Sequence, residues 1–295
     1  MTDYAQLYEK LYTIRCFENL LLDEFSKGIF PGTTHTSLGH EANAVGVLSH
    51  AQENDVVVSN HRCHGHFLAY GGDPTALYAE LMGKPGGVCG GVGGSQHLHW
   101  RNFYSNGIQG GTLAMAAGMA FAEKRAGRDA IVFDFMGDGT LGEGIVYECL
   151  NMISLWSLPI LIVLENNHIA QTTPTDLAVA GSIPARFEAF GIPTTHLDTY
   201  DVTEILPVAG ELTRIVRRES RPQALVIETA RLGTHSKSDD TRDPKEVELL
   251  WTLRDPVEFI GLFMTDFERT PIQFRVMDQI QAAFEAALAM GGRPA

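Results

Sequence analysis

The stretch AIVFDFMGDGTLGEGIVYECLNMISLWSLPILIVLENN, residues 130–167, contains the pattern that decides the fold. An apolar run at 130–136 is followed by Gly-Asp-Gly, by a pattern typical of a helix over 142–156, and by a second apolar run at 159–165. Continuous apolar runs of this length are typical of strands that are buried on both faces. The stretch therefore predicts a strand–helix–strand crossover unit of a parallel sheet, which is right-handed in nearly all known proteins.

The rest of the chain extends this alternation in both directions. Further buried strands are predicted at 55–59 and 224–232. Strands that alternate with helices predict an α/β fold, with a mostly parallel sheet and helices on both of its faces. We expect a single domain over 1–295, with the helices of 244–290 packing on it or on a partner subunit. The predicted helices lie at about 4–27, 40–50, 74–82, 111–127, 244–265 and 271–290.

One segment is far richer in glycine than the others. Between Gly83 and Gly94, seven of twelve residues are glycine. Glycine loses much conformational freedom on folding and adds nothing to a core. We therefore expect the backbone of this segment to lie close against another group.

Polar side chains follow the carboxyl ends of the predicted strands, where open parallel sheets bind ligands. Asp138 and Asn167 follow the two strands of the crossover unit, and His61 and Arg62 follow the strand 55–59. If the two strands of the unit are neighbours, Asp138 and Asn167 meet at one edge of the sheet. Their hard oxygen ligands suit Mg²⁺ or Ca²⁺ and not zinc.

The segment 137–142 also matches the pattern G-x-G-x-x-G of dinucleotide-binding folds. In that interpretation Asp138 would place a carboxylate beside a pyrophosphate. Two anions in contact repel each other unless a cation lies between them. A metal-dependent diphosphate site is therefore favoured over a nicotinamide nucleotide site.

The composition excludes several classes of protein. The 295 residues include 36 acidic and 22 basic side chains, which give a formal net charge of −14, and 44% are hydrophobic. This acidity repels phosphate backbones and anionic lipid, so we expect no nucleic acid and no membrane partner. The longest apolar run, 158–164, is too short to cross a bilayer. Four scattered cysteines and the lack of an apolar leader predict a cytoplasmic protein.

Residues 137–167 resemble the thiamine-diphosphate motif, in which GDG is followed further along by NN. The segments HRCHGHFLAYGG (61–72), NFYSNGIQGG (102–111) and THSKSD (234–239) extend the resemblance in order along almost the whole chain. Together they resemble the alpha subunit of the thiamine-diphosphate-dependent decarboxylating component of 2-oxo acid dehydrogenase complexes, of the pyruvate, acetoin and branched-chain type. The resemblance implies a thiamine-diphosphate-binding fold.

The resemblance implies a role for each matching residue. Asp138, the side chain of Asn167 and the backbone carbonyl of Ile169 would hold Mg²⁺, and Arg62 would pair with the diphosphate. His64 and His235 match two histidines that face the reacting carbon, where a charge change near neutral pH suits proton transfer. The other matching cofactor-binding positions are His35, His61, Gly107, Gln109, and Gly139 and Thr140 through backbone amides at a helix start.

The resemblance also implies partners. In this family a glutamate that contacts the cofactor comes from a separate beta subunit, so we expect a heterotetramer of two alpha and two beta subunits. The acyl unit of a 2-oxo acid would pass to a lipoyl-bearing acyltransferase or carrier protein. The expected cofactors are thiamine diphosphate and Mg²⁺.

Some residues depart from the family pattern. His61 replaces a tyrosine, Gln109 replaces a branched apolar residue, and Glu143 gives the motif a transketolase-like form. The short loop after His235 argues against regulatory phosphorylation at Ser236. Two alternatives stay open, of which these departures favour the first. One is a split transketolase-like enzyme that transfers a two-carbon ketol unit from a ketose phosphate to a carrier, and the other is a non-catalytic partner of the beta subunit.

Overall fold

The computed structural model describes residues 2–236 and 239–292 of the chain. Its strands are β1 (Val56–Ser59), β2 (His99–Trp100), β3 (Phe103–Ser105), β4 (Val132–Gly137), β5 (Ile160–Asn166), β6 (Ile169–Ala170), β7 (Thr173–Pro174), β8 (Thr194–Asp198) and β9 (Gln223–Glu228). Its helices are α1 (Tyr4–Phe25), α2 (Glu41–Leu48), α3 (Cys63–Ala69), α4 (Pro74–Leu81), α5 (Gly111–Ala126), α6 (Gly144–Leu155), α7 (Thr175–Ala178), α8 (Ile183–Glu188), α9 (Val202–Glu219), α10 (Pro244–Leu253), α11 (Pro256–Gly261) and α12 (Asp266–Ala289).

Seven of the strands form one sheet, in the order β2-β3-β1-β4-β5-β9-β8. The β2–β3 pair is antiparallel and the other five pairs are parallel. Strands β4 and β5 pair directly, with Gly137 opposite Glu165, and Asn166 on β5 lies opposite Glu228 on β9. The carboxyl ends of the central strands are thus level with one another, and the predicted crossover unit is confirmed.

Two apolar cores lie on opposite faces of this sheet. Side chains alternate along β4, so that Phe133 and Phe135 enter one core while Val132 and Met136 enter the other. The first core packs against α1, α2, α9 and α12, and the second packs against α5 and α6. Helices therefore cover both faces and the α/β fold class is confirmed. Within the described ranges, no helix is both long and apolar enough to span a bilayer.

The carboxyl-terminal helices differ from the prediction. The expected helix over 244–265 is divided into α10 and α11, because Pro256 cannot donate a backbone hydrogen bond and Asp255 starts a new helix. The Asp255 carboxylate accepts from the backbone N–H groups at 257 and 258 and also binds the Arg15 guanidinium, 2.8 Å away. The last helix begins five residues earlier than expected, where Thr265 and Glu268 form a capping box.

The glycine-rich segment 83–94 wraps around one buried carboxylate. Glu80, near the end of α4, accepts four hydrogen bonds of 2.6, 2.7, 2.6 and 3.0 Å from backbone N–H groups between residues 89 and 94. A Cβ on Gly91 would lie 2.4 Å from the backbone carbon of Gly83, so a side chain there would clash. The predicted close approach of this backbone is confirmed, and the group it approaches is a carboxylate.

Candidate active site

A cavity of about 340 Å³ lies at the carboxyl ends of the central strands. His61 and Arg62 reach it from the end of β1, Asp138 from the end of β4, and Asn167 from the end of β5. This is the edge of a parallel sheet at which ligands usually bind.

The residues predicted to bind the cofactor all line this cavity. They come from six separate segments of the chain, and the roles given to them individually stay predictions. They are His35, His61, Arg62, Gly107, Gln109, Asp138, Gly139, Thr140, Asn167, Ile169 and His235.

Four further polar residues of the wall were not predicted from the sequence to face a ligand. They are His40, Asn60, Gln96 and Glu165. Glu165 is buried, and its Oε1 lies 3.2 Å from His40 Nδ1 and accepts from Asn43 Nδ2 at 3.0 Å. Burial by itself would raise the pKa of Glu165, yet the neighbouring His40 and His66 rings hold that pKa well below its usual value. The one signal in the sequence is the position of Glu165 directly before the two asparagines.

His64 is not among the residues that line this cavity, and its role toward the reacting carbon stays a prediction. Helix α3 directs its side chain toward α1, where it is 0% exposed. Its Nδ1 lies 3.2 Å from both carboxylate oxygens of Glu18, and its Nε2 lies 2.9 Å from Ser95 Oγ. His64 is therefore part of a buried hydrogen-bond network beside the cavity.

Three histidines, His35, His61 and His235, form a cluster in the cavity wall. The centroid of the His35 ring lies 4.7 Å from those of His61 and His235, which are 5.3 Å apart. Burial and the charge of Arg62 lower the pKa of His35 to about 3 and that of His235 to about 4. The same two causes hold the pKa of His61 well below its usual value. The cluster is therefore neutral near pH 7 in this structure, and the proton-transfer role of His235 stays a prediction.

A donor side chain contacts Nδ1 of each ring in the cluster. Gln96 Nε2 lies 3.0 Å from Nδ1 of His35, Gln109 Nε2 lies 2.9 Å from that of His61, and Arg62 Nη2 lies 3.1 Å from that of His235. Ser236, directly after the cluster, donates a hydrogen bond from its hydroxyl to Asp239 Oδ2 at 2.9 Å, and the absence of regulatory phosphorylation there stays a prediction.

Arg62 is a buried cation without a carboxylate partner among the described residues. Its side chain donates to the carbonyl oxygen of Thr36 at 2.8 Å and to His235. Burial lowers the pKa of Arg62 to about 10, so the guanidinium is still charged near neutral pH. A buried charge is unfavourable unless an opposite charge pairs with it. The cavity therefore suits an anionic ligand such as a diphosphate.

Other residues that line the cavity supply oxygen atoms. Asp138 is 2% exposed, and its carboxylate accepts a hydrogen bond from the Thr175 hydroxyl. Asn167 Oδ1 accepts from the backbone N–H of Ile169 at 3.2 Å. A carboxylate and an amide oxygen are ligands that Mg²⁺ prefers, so these side chains fit the predicted metal.

The Gly-Asp-Gly segment meets the hairpin of β6 and β7. A Cβ on Gly139 would lie 2.6 Å from the Cβ of Ala170, so only glycine allows this approach. Gly139 and Thr140 belong to a 3₁₀ turn over 138–142, and α6 starts after it, at Gly144. Gly139 and Thr140 thus lie at the start of a 3₁₀ helix, and their predicted contact with a diphosphate stays a prediction.

Comparisons with known proteins agree with this arrangement. The family described as the dehydrogenase E1 component matches residues 9–289. The alpha subunit of acetoin:2,6-dichlorophenolindophenol oxidoreductase from Cupriavidus necator is 38% identical over 237 residues, which cover 79% of this chain and 71% of that protein. The pyruvate dehydrogenase E1 component subunit alpha of Rhizobium meliloti is 34% identical over 270 residues (90% and 78%), and that of Zymomonas mobilis is 36% identical over 263 (87% and 74%). With a family match over nearly its whole length, and with the family's motifs gathered around one cavity, the chain belongs to the dehydrogenase E1 component family.

Proposed function

We propose that this chain is the alpha subunit of a thiamine-diphosphate-dependent 2-oxo acid dehydrogenase. With a beta subunit, in a cytoplasmic heterotetramer of two alpha and two beta subunits, it decarboxylates a 2-oxo acid and passes the acyl unit to a lipoyl carrier. The observation that carries the proposal is the unpaired charge of Arg62 in a cavity lined by neutral histidines. The alpha subunits among its relatives support the same function.

In this proposal the residues of the chain bind the two ends of a diphosphate–metal unit. Arg62 pairs with the phosphate oxygens, which supply the missing negative charge. Asp138, Asn167 and the backbone carbonyl of Ile169 hold Mg²⁺, which offsets the repulsion between Asp138 and the phosphates.

When bound, thiamine diphosphate supplies the carbon nucleophile and the electron sink for the reaction. The residues of the chain determine which ring nitrogen of His235 carries the proton. Because Arg62 only donates hydrogen bonds, Nδ1 of the neutral His235 is an acceptor and its proton lies on Nε2. His235 thus offers an N–H group to a substrate oxygen without a positive charge of its own.

The transketolase-like alternative is favoured by two polar residues of the wall. Gln109 and Glu143 both line the cavity, where an apolar acyl group would gain little from them. A hydroxylated ketol donor would find hydrogen-bond partners there.

The test uses the full chain with the partner subunit that copurifies with it, supplied with thiamine diphosphate and Mg²⁺. A panel of 2-oxo acids is assayed for CO₂ release and a panel of ketose phosphates for cleavage. Release of CO₂ from an oxo acid is the expected result. Cleavage of a ketose phosphate without CO₂ would instead support the alternative.

The substitution Arg62→Met tests the anion site directly. We expect it to weaken the affinity for thiamine diphosphate, measured by calorimetry, by roughly 10- to 100-fold, since one charged hydrogen-bond donor is lost. Arg128→Met is the matched control, because Arg128 forms a surface ion pair with Glu123. Equal affinity in the wild type and the Arg62 variant would contradict the proposed site.

A further inference from the structure

Gln109 connects two parts of the cavity wall. Its Oε1 accepts a hydrogen bond from Thr140 Oγ1 at 3.0 Å, and its Nε2 lies 2.9 Å from Nδ1 of His61. An amide nitrogen donates hydrogen bonds and does not accept them. Nδ1 of His61 is therefore the acceptor in this pair.

This contact determines where the proton of His61 lies. The ring is neutral, and a neutral imidazole with an acceptor at Nδ1 carries its proton on Nε2. That Nε2 atom is buried and has no hydrogen-bond partner within the described ranges of the chain. A buried donor without an acceptor is unfavourable, so a ligand oxygen placed there would stabilise the site.

The neighbouring rings favour an oxygen ligand over a metal ion. A ring nitrogen of each of His35, His61 and His235 lies within 4.8 Å of one from each of the other two, a spacing that could hold a transition metal. A metal-binding histidine normally donates its second N–H to a carboxylate or carbonyl. Here Arg62 occupies Nδ1 of His235 and can only donate, so the proton stays on Nε2 and blocks coordination.

We propose that His61 donates a hydrogen bond from Nε2 to an anionic oxygen of the ligand, and that Gln109 is the positioning residue that fixes the donating tautomer. The oxygen belongs to a phosphate or to a carboxylate. The inference rests on the proposed function and adds to it a specific role for two residues that depart from the family pattern.

The test compares His61→Phe, which removes the donor, with His61→Gln, which retains an N–H donor. The full chain with its copurified subunit is used for the Kd of Mg²⁺–thiamine diphosphate and for the KM of the 2-oxo acid. We expect the Phe variant to weaken binding roughly 10-fold, the Gln variant to restore most of it, and Gln109→Leu to lie between them. His99→Phe, at an exposed ring stacked on Tyr104, is the control and should match the wild type.

The readouts separate the two sources of oxygen. A change in Kd identifies a phosphate oxygen and a change in KM identifies the substrate carboxylate. A His61→Phe variant with unchanged Kd and KM would overturn the role of His61. A Gln109→Leu variant with unchanged Kd and KM would overturn the role of Gln109. Stoichiometric Zn²⁺ retained by the wild type and lost in His61→Phe would also overturn it, because that result requires a free lone pair on the ring.

A failure of the proposed function can be distinguished from a failure of this inference about His61. A wild-type protein that binds inorganic pyrophosphate but not thiamine diphosphate would refute the assigned cofactor. The effect of His61→Phe on pyrophosphate affinity would still test the hydrogen bond to a phosphate oxygen.

Discussion

Arg62 contributes to the neutral state of the histidines around it. Burial of the rings and, after it, the charge of Arg62 lower the pKa of His35 and of His235 by enough to keep both neutral. No carboxylate of the described residues forms an ion pair with the same charge, so an anionic ligand would satisfy it. The buried Arg62 guanidinium therefore favours an anion and, together with burial, favours the neutral state of the histidines beside it.

Asp134, in the middle of β4, is a second buried ionisable group and has consequences for stability. Both of its carboxylate oxygens are buried without a partner in the described part of the chain, and burial raises its pKa to about 8. Between the unfolded value of 3.8 and the folded value, unfolding releases a proton, so the free energy of unfolding falls as pH rises. The slope for one such group approaches about 1.4 kcal/mol per pH unit.

Asp134→Asn should remove this slope. We expect the variant to match the wild type near pH 4 and to be more stable than the wild type above pH 7, because its amide cannot ionise. Urea unfolding from pH 4 to pH 9 measures this, with the exposed Asp23→Asn as control. The prediction fails if the two proteins differ by a constant amount at every pH.

The glycine-rich segment 83–94 is ordered by one buried carboxylate, that of Glu80. Its four hydrogen bonds order the segment that carries Ser95 and Gln96, which contact His64 and His35. We expect Glu80→Gln to destabilise the protein by about 1–3 kcal/mol, because one acceptor becomes a donor that faces backbone N–H groups. Hydrogen exchange should accelerate between residues 83 and 98.

The matched control is Glu211→Gln, an exposed residue paired with Arg214 on α9. Weaker binding of thiamine diphosphate by Glu80→Gln than by this control would show that the loop also positions Gln96. Exchange rates that are unchanged in the loop would contradict the assigned role of Glu80.

Sequence patterns located the elements that bury continuous apolar runs. Strands β4 and β5 agree with the prediction within two residues, since both lie inside the sheet. Strand β8 was not predicted, because its residues Thr194–Asp198 at the sheet edge are partly exposed and carry no apolar run. The break at Asp255 follows from the local Asp255-Pro256 sequence, whereas the contact of Asp255 with Arg15 joins residues 240 positions apart.

The candidate site was predictable as a list of residues but not as a set of contacts. Spacing put His64 and Arg62 in one loop, yet α3 turns the first toward Glu18 and leaves the second in the cavity. The hydrogen bond between His61 and Gln109 joins residues 48 positions apart. Such contacts depend on packing between segments, which local patterns do not encode.

At the scale of the whole molecule, the chain is expected to be an incomplete enzyme. Ile108, between two residues that line the cavity, is 68% exposed, and helices α5 and α6 expose further apolar side chains. Surfaces of this kind are commonly covered by another subunit. The exposed apolar side chains on and after these helices are Met115, Phe121, Ile145, Met152, Leu155 and Trp156.

We therefore expect the purified chain alone to release no CO₂ from any 2-oxo acid, and addition of the beta subunit to restore turnover. Light scattering of the mixture should give the mass of a heterotetramer. Turnover by the lone chain, free of any copurified subunit, would contradict this expectation.

The single domain over 1–295 stays a prediction.

The hydrogen bonds around Glu80 also affect the order in which parts of the protein fold during synthesis. Its four partners lie 9, 11, 13 and 14 residues away, so this loop closes over a short span of chain. Arg62 and His235 are 173 residues apart. On the ribosome the loop could fold while most of the chain is still being synthesised, whereas the anion-binding cavity must wait until His235 has left the exit tunnel.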